Sequence, residues 1–307
     1  MNITSEFTVC NVCANPGDIK QAKEICKIHS NIAKFRDKSF TVWRCINCQS
    51  IHSLESVDLD YYYSGYPGTL TDSEMTLEDW ETMELLPFEK VMSNNRIAII
   101  KSLKNLSKNA EILDYGCNKG SFVMYLRKLG YKNAWGYDPY HNLFNDQKIL
   151  ERQYDAIFTQ DVIEHVVDPK IMMSQLNALL KPNGILIIGT PNATEINLSR
   201  GELDYNFELH QPYHRHILSE NALIKLGNDL GLTLKFIKKR APGDTKIPFI
   251  NSNYVANYVN EKNNVFDDIM QGYIDWKATL SNPKLVTLGL IGYWLRRPGQ
   301  MMVVFSK

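Results

Sequence analysis

An α/β fold built on a doubly wound, mostly parallel sheet is what this 307-residue sequence predicts. Three observations predict it. Short apolar runs that read as buried strands alternate with stretches of helical periodicity, the pattern of strand–helix–strand units. The run Glu111-Ile-Leu-Asp-Tyr-Gly-Cys-Asn-Lys-Gly-Ser-Phe122 passes from strand through a glycine turn into a helix. Such a turn lets a ligand lie against bare backbone at a helix N-terminus. The next strand closes on Asp138, 24 residues after Asp114, where a ribose diol is expected.

The elements follow in order. Cys10-Asn-Val-Cys13 and Cys45-Ile-Asn-Cys48 are two Cys-x-x-Cys knuckles 31 residues apart. Four thiolates so spaced suit one tetrahedral Zn2+ ion, and Cys10, Cys13, Cys45 and Cys48 are its candidate ligands. Phe40 to Arg44 and Gln49 to Leu54 read as the arms of a hairpin, so residues 1–57 are expected to form a small zinc-ribbon module. Cys26 and His29 form a looser pair left spare by a four-ligand site. Residues 58–80 are a connector rich in tyrosine, Asp60-Tyr-Tyr-Tyr-Ser-Gly-Tyr-Pro67, broken by glycine and proline. A large domain is expected over 81–307. Phe88 to Leu106 has helical periodicity and leads into the first sheet strand at Ile112-Leu113. A helix over Phe122 to Leu129, a strand over Ala134 to Asp138 and a strand over Tyr154 to Phe158 follow, and the last leads into Thr159-Gln-Asp-Val-Ile-Glu-His-Val166. Next come a helix ending at Leu180, a turn at Lys181-Pro-Asn-Gly184 and a strand at Ile185 to Ile188. Ser219 is placed to cap a helix that Gly231 ends. Strands are expected at Thr233 to Lys238 and Met301 to Phe305. Between them lies an insertion, residues 241–299, which reads as a lid, a substrate wall or a dimer contact.

The pieces Leu-Asp-Tyr-Gly-Cys-Asn-Lys-Gly, Gly-Tyr-Asp, Tyr-Asp-Ala-Ile, Asp-Val-Ile-Glu-His-Val and Leu-Leu-Lys-Pro-Asn-Gly with its Thr-Pro-Asn stand in one order and spacing over residues 111–192. In this the sequence resembles class I S-adenosylmethionine-dependent methyltransferases, near the small-molecule O-methyltransferases that include those of ubiquinone biosynthesis. With the four-cysteine module in front, it also resembles sugar and glycan methyltransferases. The resemblance implies a seven-stranded, Rossmann-like methyltransferase sheet with the last strand antiparallel, and an activity of O-methylating a sugar or glycan intermediate. Asp114 would hold the cofactor's amino group, Gly116 and Gly120 would give clearance, and Asp138 would bind the ribose. Gln160 and Asp161 would flank the methionine moiety, and Tyr63 and Tyr66 would close over it. The family has glycine where this chain has Asn118, a residue that tolerates left-handed backbone. The segment from Asp138 to Tyr154 is short for the helix and strand the family fits there, so that helix must be stubby, and Asp146 is the adenine-side candidate. A divalent cation such as Mg2+ at Asp161 and Glu164 is the implied metal-assisted variant.

A hydroxyl is a poor nucleophile, and histidine is the usual base near neutral pH. His214 and His216, in Leu-His-Gln-Pro-Tyr-His-Arg-His-Ile, and His165 follow strands whose carboxyl ends face the ligand side. These three are the candidate bases; each taken alone reads equally as a hydrogen-bonded structural histidine. Nearer and farther alternatives remain: C- or N-methylation of a nucleotide sugar, RNA methylation with the ribbon as an RNA-binding module, and a non-enzymatic protein that keeps the fold. A dinucleotide-binding dehydrogenase is disfavoured because Gly116 and Gly120 do not make Gly-x-Gly-x-x-Gly. Lysine plus arginine balance aspartate plus glutamate at 34 each, against the basic excess that phosphate contacts demand. The N-terminus lacks an apolar signal core, and the apolar run near Leu285 to Leu295 is too short to span a bilayer; it reads first as a buried helix and second as a segment that touches a membrane surface. With reduced cysteines on zinc, a cytoplasmic location and a small-molecule acceptor are the expectation, with a homodimer as a further option.

Overall fold

Sequential strands separated by helices leave few topologies, and the computed structural model adopts one of them. It describes residues 3–57, 75–103, 106–200, 206–241, 243–261, 274–295, 297 and 299–307. The N-terminal part has strands β1 (Ile3–Glu6), β2 (Glu24–His29), β3 (Ser39–Arg44), β4 (Ile51–Ser53) and β5 (Glu55–Val57). The expected hairpin is β3–β4, with Val42 opposite Ser53 and Arg44 opposite Ile51. Helices α1 (Leu77–Thr82) and α2 (Pro87–Leu103) then lead into the main sheet. Thr76 and Asp79 form a reciprocal capping box on α1.

The main sheet contains β6 (Ile112–Tyr115), β7 (Ala134–Tyr137), β8 (Tyr154–Gln160), β9 (Leu180–Pro191), β11 (Thr233–Lys238) and β12 (Gln300–Ser306), in the order β11-β12-β9-β8-β6-β7. Strands β6 to β9 are parallel. The last strand, β12, inserts antiparallel between β9 and β11, as expected. Among the described residues the sheet has six strands rather than seven. The missing edge strand traces to the short span from Asp138 to Tyr154, which holds only a five-residue 3-10 turn, Gln147–Glu151, capped by Asp146. The turn expected at Lys181 to Gly184 is instead a bulge within β9. Pairing jumps from Tyr154–Leu180 to Ala156–Ile185, and Asn183 takes a φ of 60°.

Helices α3 (Ser121–Lys128), α4 (Pro169–Leu179), α5 (Asn206–Leu209) and α6 (Glu220–Asp229) complete the large domain. Ser219 caps α6 by accepting from the Ala222 N–H. Both faces of the sheet are buried, so its strands read as continuous apolar runs; Ile112, Leu113, Ile157, Leu186 and Val303 are fully enclosed. The ribbon does not stand apart from this core. A two-residue strand, β10 (His216–Ile217), pairs with β4, and Val12, Trp43 and Cys45 pack into the same apolar cluster as Leu113 and Leu223. The insertion contributes α7 (Ser252–Glu261), α8 (Trp276–Ser281), α9 (Pro283–Ile291) and a 3-10 turn, Gly292–Trp294, around a small core of Tyr254, Tyr258 and Leu285. The run from Leu285 to Leu295 is only half buried: Leu285 is enclosed, whereas Leu290, Ile291, Trp294 and Leu295 are exposed.

Candidate functional site

The carboxyl ends of β6, β7 and β8 meet at one edge, where the chain leaves each strand through a tight loop. Gly116 and Gly120 both lie at positive φ, 79° and 72°. A Cβ at Gly116 would come within 2.3 Å of Val162, so only glycine lets the β6 loop lie against the loop after β8. At Gly120 a Cβ would meet Phe144 at 2.3 Å and Trp80 Nε1 at 3.0 Å. Asn118 takes the left-handed conformation, φ 47°, so the turn keeps its shape without glycine. Its N–H donates to Asp138 Oδ2 at 2.9 Å, and the Tyr140 N–H donates to Oδ1 at 3.0 Å. Asp138 thus ties the glycine loop to the end of β7.

Asp114 is buried at the end of β6. Burial pushes its carboxyl up to about 6; the nearby Arg96 guanidinium opposes the rise and the Asp138 carboxylate adds to it. Trp80 donates to the Lys119 carbonyl at 2.9 Å and packs edge-on against Phe144. Trp80, Phe144 and Arg96 were not legible as site residues, because α1, the loop after β7 and α2 carry no motif. Gln160 folds over Gly189, where a Cβ would overlap its amide, and donates to Asp161 Oδ1 at 3.0 Å. Asp161 holds a positive φ of 54° and faces solvent. Tyr63 and Tyr66 lie outside the described residues.

The three candidate bases separate into two groups. His165 and His214 stack edge to face at 4.8 Å, and one ligand atom each from Glu164, His165 and His214 lies within 4.8 Å of the others. His165 Nδ1 is 3.0 Å from the Tyr213 carbonyl and His214 Nδ1 is 2.7 Å from the Glu208 carbonyl. A carbonyl accepts only, so each Nδ1 carries its proton and each Nε2 is a lone-pair nitrogen. Burial drives both imidazoles toward neutrality, His165 to about 4 and His214 well below the ordinary histidine value. Glu164 is fully enclosed. Thr190 Oγ1 donates to its Oε2 at 3.1 Å, while Oε1 has no hydrogen-bond partner among the described residues. Desolvation, with Asp161 nearby, holds this carboxyl well above its usual range. A buried carboxylate so placed takes up a proton or a cation. The donor set of two imidazoles and one carboxylate fits either, and among the described residues its ligand atoms group Glu164 with the two histidines rather than with Asp161.

His216 stands elsewhere. As part of β10 it sits under the ribbon, with Nδ1 3.0 Å from His52 Nδ1 and Nε2 3.2 Å from both the Asn11 amide nitrogen and the Val167 carbonyl. Both ring nitrogens are committed to this interface, which removes it from the base candidates. Pairing of β10 with β4 is a tertiary event with no local signal in the sequence.

The four cysteines converge as expected. Cys10 Sγ lies 3.7 Å from both Cys13 Sγ and Cys48 Sγ, and one Sγ from each of the four lies within 4.8 Å of the rest. Sulfurs on a tetrahedron with Zn–S of about 2.3 Å stand about 3.8 Å apart, so the set fits zinc. The Cys48 thiol is held well below its ordinary value, first by the hydrogen bond from Cys10 and further by His52 and Ser50. Cys26, on β2, lies outside this set.

A family model described as "Methyltransferase domain" matches residues 92–235. The chain is similar to a tRNA U34 carboxymethyltransferase of Nautilia profundicola, 32% identical over 30% of this chain and 37% of that protein. It is also similar to a ubiquinone biosynthesis O-methyltransferase of Rhodopseudomonas palustris, 25% identical over 39% of this chain and 59% of the relative. A solved S-adenosylmethionine-dependent methyltransferase from Archaeoglobus fulgidus superposes with a TM-score of 0.42 at 18% identity, covering 71% of this chain and 94% of that one. The matches thus span about a third to three fifths of these two sequence relatives' lengths. Residues 92–235, which carry the match to a methyltransferase domain, hold the glycine loop and the parallel strands β6 to β9.

Proposed function

We propose that this protein transfers a methyl group from S-adenosylmethionine to a hydroxyl of a small-molecule acceptor, a sugar or glycan intermediate. The observation that carries the reading is the enclosed group Glu164, His165 and His214. Glu164 and His165 stand on the loop that touches Gly116 through Val162, and His214 meets them from the segment after α5. When bound, the cofactor supplies a methyl group already activated on a sulfonium. The protein's remaining work is alignment, water exclusion and proton removal. Asp114 binds the cofactor's ammonium, the glycine loop and the start of α3 take its carboxylate side, and Asp138 faces the ribose. His214, neutral and fixed by the Glu208 carbonyl, accepts the acceptor's proton at Nε2. His165 and Glu164, each with a ligand atom within 4.8 Å of His214's, position the acceptor oxygen. A positioned base contributes about 10²–10⁴-fold.

The four cysteines hold one structural zinc, and its role is to fix the ribbon that carries Asn11 and His52 against His216. The zero net charge supports a small acceptor over RNA. One observation favours the RNA reading: a relative named for tRNA is among the similar proteins. A methyl-transfer screen against nucleotide sugars, glycans and total tRNA separates the two. The expected result is transfer to a sugar hydroxyl that falls at least about 100-fold in His214→Ala with His216→Ala little changed per folded molecule. Transfer to tRNA alone would replace the sugar reading, and full activity in His214→Ala would remove the base.

A further inference from the structure

The insertion presents an apolar face that the methyltransferase reading does not use. Of the large apolar side chains exposed on the described surface, Trp276, Leu280, Leu290, Ile291, Trp294 and Leu295 fall within 20 residues. They form two groups, the first beside Phe249, against which Trp276 packs at 5.3 Å. Trp276 and Leu280 are one turn apart on α8, and Leu290, Ile291 and Trp294 follow at helical spacing along α9 and the 3-10 turn. The opposite side of α9, Leu285 and Gly289, faces inward against the insertion core and Phe249. The fold is therefore complete without the exposed face, whose exposure ranges from 43% to 65% per residue.

Charge says what would cover it. Residues 276–297 contain four basic residues, Lys277, Lys284, Arg296 and Arg297, and no acidic one. Lys277 and Lys284 are exposed on the same two helices, and Lys246 is exposed beside Tyr293, its Nζ 5.8 Å from the ring. Arg297 is tied to Glu208 at 2.8 Å, and Lys284 stands 4.0 Å from Glu261. An isologous contact between two copies would set this basic segment against itself, a like-charge arrangement that opposes association. Exposed tryptophans and leucines on a segment that also carries exposed Lys277 and Lys284 instead match the boundary of an anionic bilayer, where indole rings sit at the headgroup level and lysines meet the phosphates. Among the described residues no helix is long and apolar enough to cross a membrane, so the segment would lie on the surface.

We propose that α8, α9 and the turn after them dock this protein on an anionic phospholipid surface. The Arg297–Glu208 pair connects the docked segment to the loop whose Glu208 carbonyl orients His214. The docking does not depend on the methyl-acceptor assignment.

Co-sedimentation of the full-length protein with vesicles tests it. The probes are phosphatidylcholine alone and phosphatidylcholine with about one third phosphatidylglycerol, at low and high salt. The expected result is binding to the anionic vesicles that weakens as salt screens the charge. Leu290→Ser with Trp294→Ser should lower the bound fraction at least about tenfold. Both positions are exposed, so the variant keeps its melting temperature and its S-adenosylmethionine affinity. Lys277→Glu with Lys284→Glu should abolish the preference for anionic lipid. No sedimentation, or equal binding to both vesicle types, would overturn the proposal. So would a lipid-free dimer that the serine variant dissolves, which would assign the face to a second copy.

Discussion

Asp114 carries the clearest electrostatic signature of the cofactor site. Its carboxyl is raised to about 6 by burial, so the charged form is costly until a cation arrives. A raised acid stabilises the fold at low pH, and that contribution is lost as pH climbs through the folded value near 6. In the proposed role the ammonium of S-adenosylmethionine would bind the charged form, which gives the opposite sign for affinity. Titration calorimetry should find cofactor affinity constant above pH 7 and falling by about tenfold per pH unit below the carboxyl's value. Asp114→Asn should be weak and flat across the same range; a steep profile in that variant would show that another group titrates. The sequence marked Asp114 through its strand-end position and the glycines that follow. It could not reveal Arg96, which opposes its shift from a helix without a motif.

The glycine loop, the ribbon hairpin and the histidine loop differ in how much of them could be read. The β6 loop and the helix after it are local structures, dictated by glycines at 116 and 120 and a left-handed asparagine at 118. The hairpin of β3 and β4 was equally legible from its flanking Cys-x-x-Cys pairs. The loop from Leu209 to Ile217 was not, because its two ends are held by different partners. His214 is fixed from Glu208, while His216 pairs across to His52 in β4. Alternate residues of one short loop therefore point to different jobs, and residue type alone does not say which. The four-cysteine cluster bears on that division, because Cys48 lies beside His52. Cys48→Ser, or treatment with a strong chelator, should lower the melting temperature by several degrees and release one zinc per chain by metal analysis. A metal content near zero in the untreated protein, with an unchanged melting curve, would show that the four thiols close without an ion.

For the molecule as a whole, the central fact is that the ribbon and the methyltransferase domain share one core. Trp43 and Cys45 pack with the strands of the sheet, and Arg44 donates to the carbonyls of Ala193 and Ile196 in the loop after β9. The parallel order of β6 to β9 and the antiparallel last strand follow from alternating strand and helix patterns. The strand count did not: seven strands were expected, and the described residues form six because the segment from Asp138 to Tyr154 holds only a short 3-10 turn. The insertion was visible as a long gap between two strands, yet its exposed face was not, since a run of leucines reads the same whether it is covered or bare. The account rests on one ligand. Calorimetric titration with S-adenosylmethionine is the most direct measurement, with Gly116→Val beside the natural protein. The predicted result is one site per chain in the natural protein and at least about tenfold weaker binding in the variant, whose side chain would collide with Val162. No heat and no saturation in the natural protein, folded and zinc-replete, would contradict the assignment of the glycine loop to this cofactor.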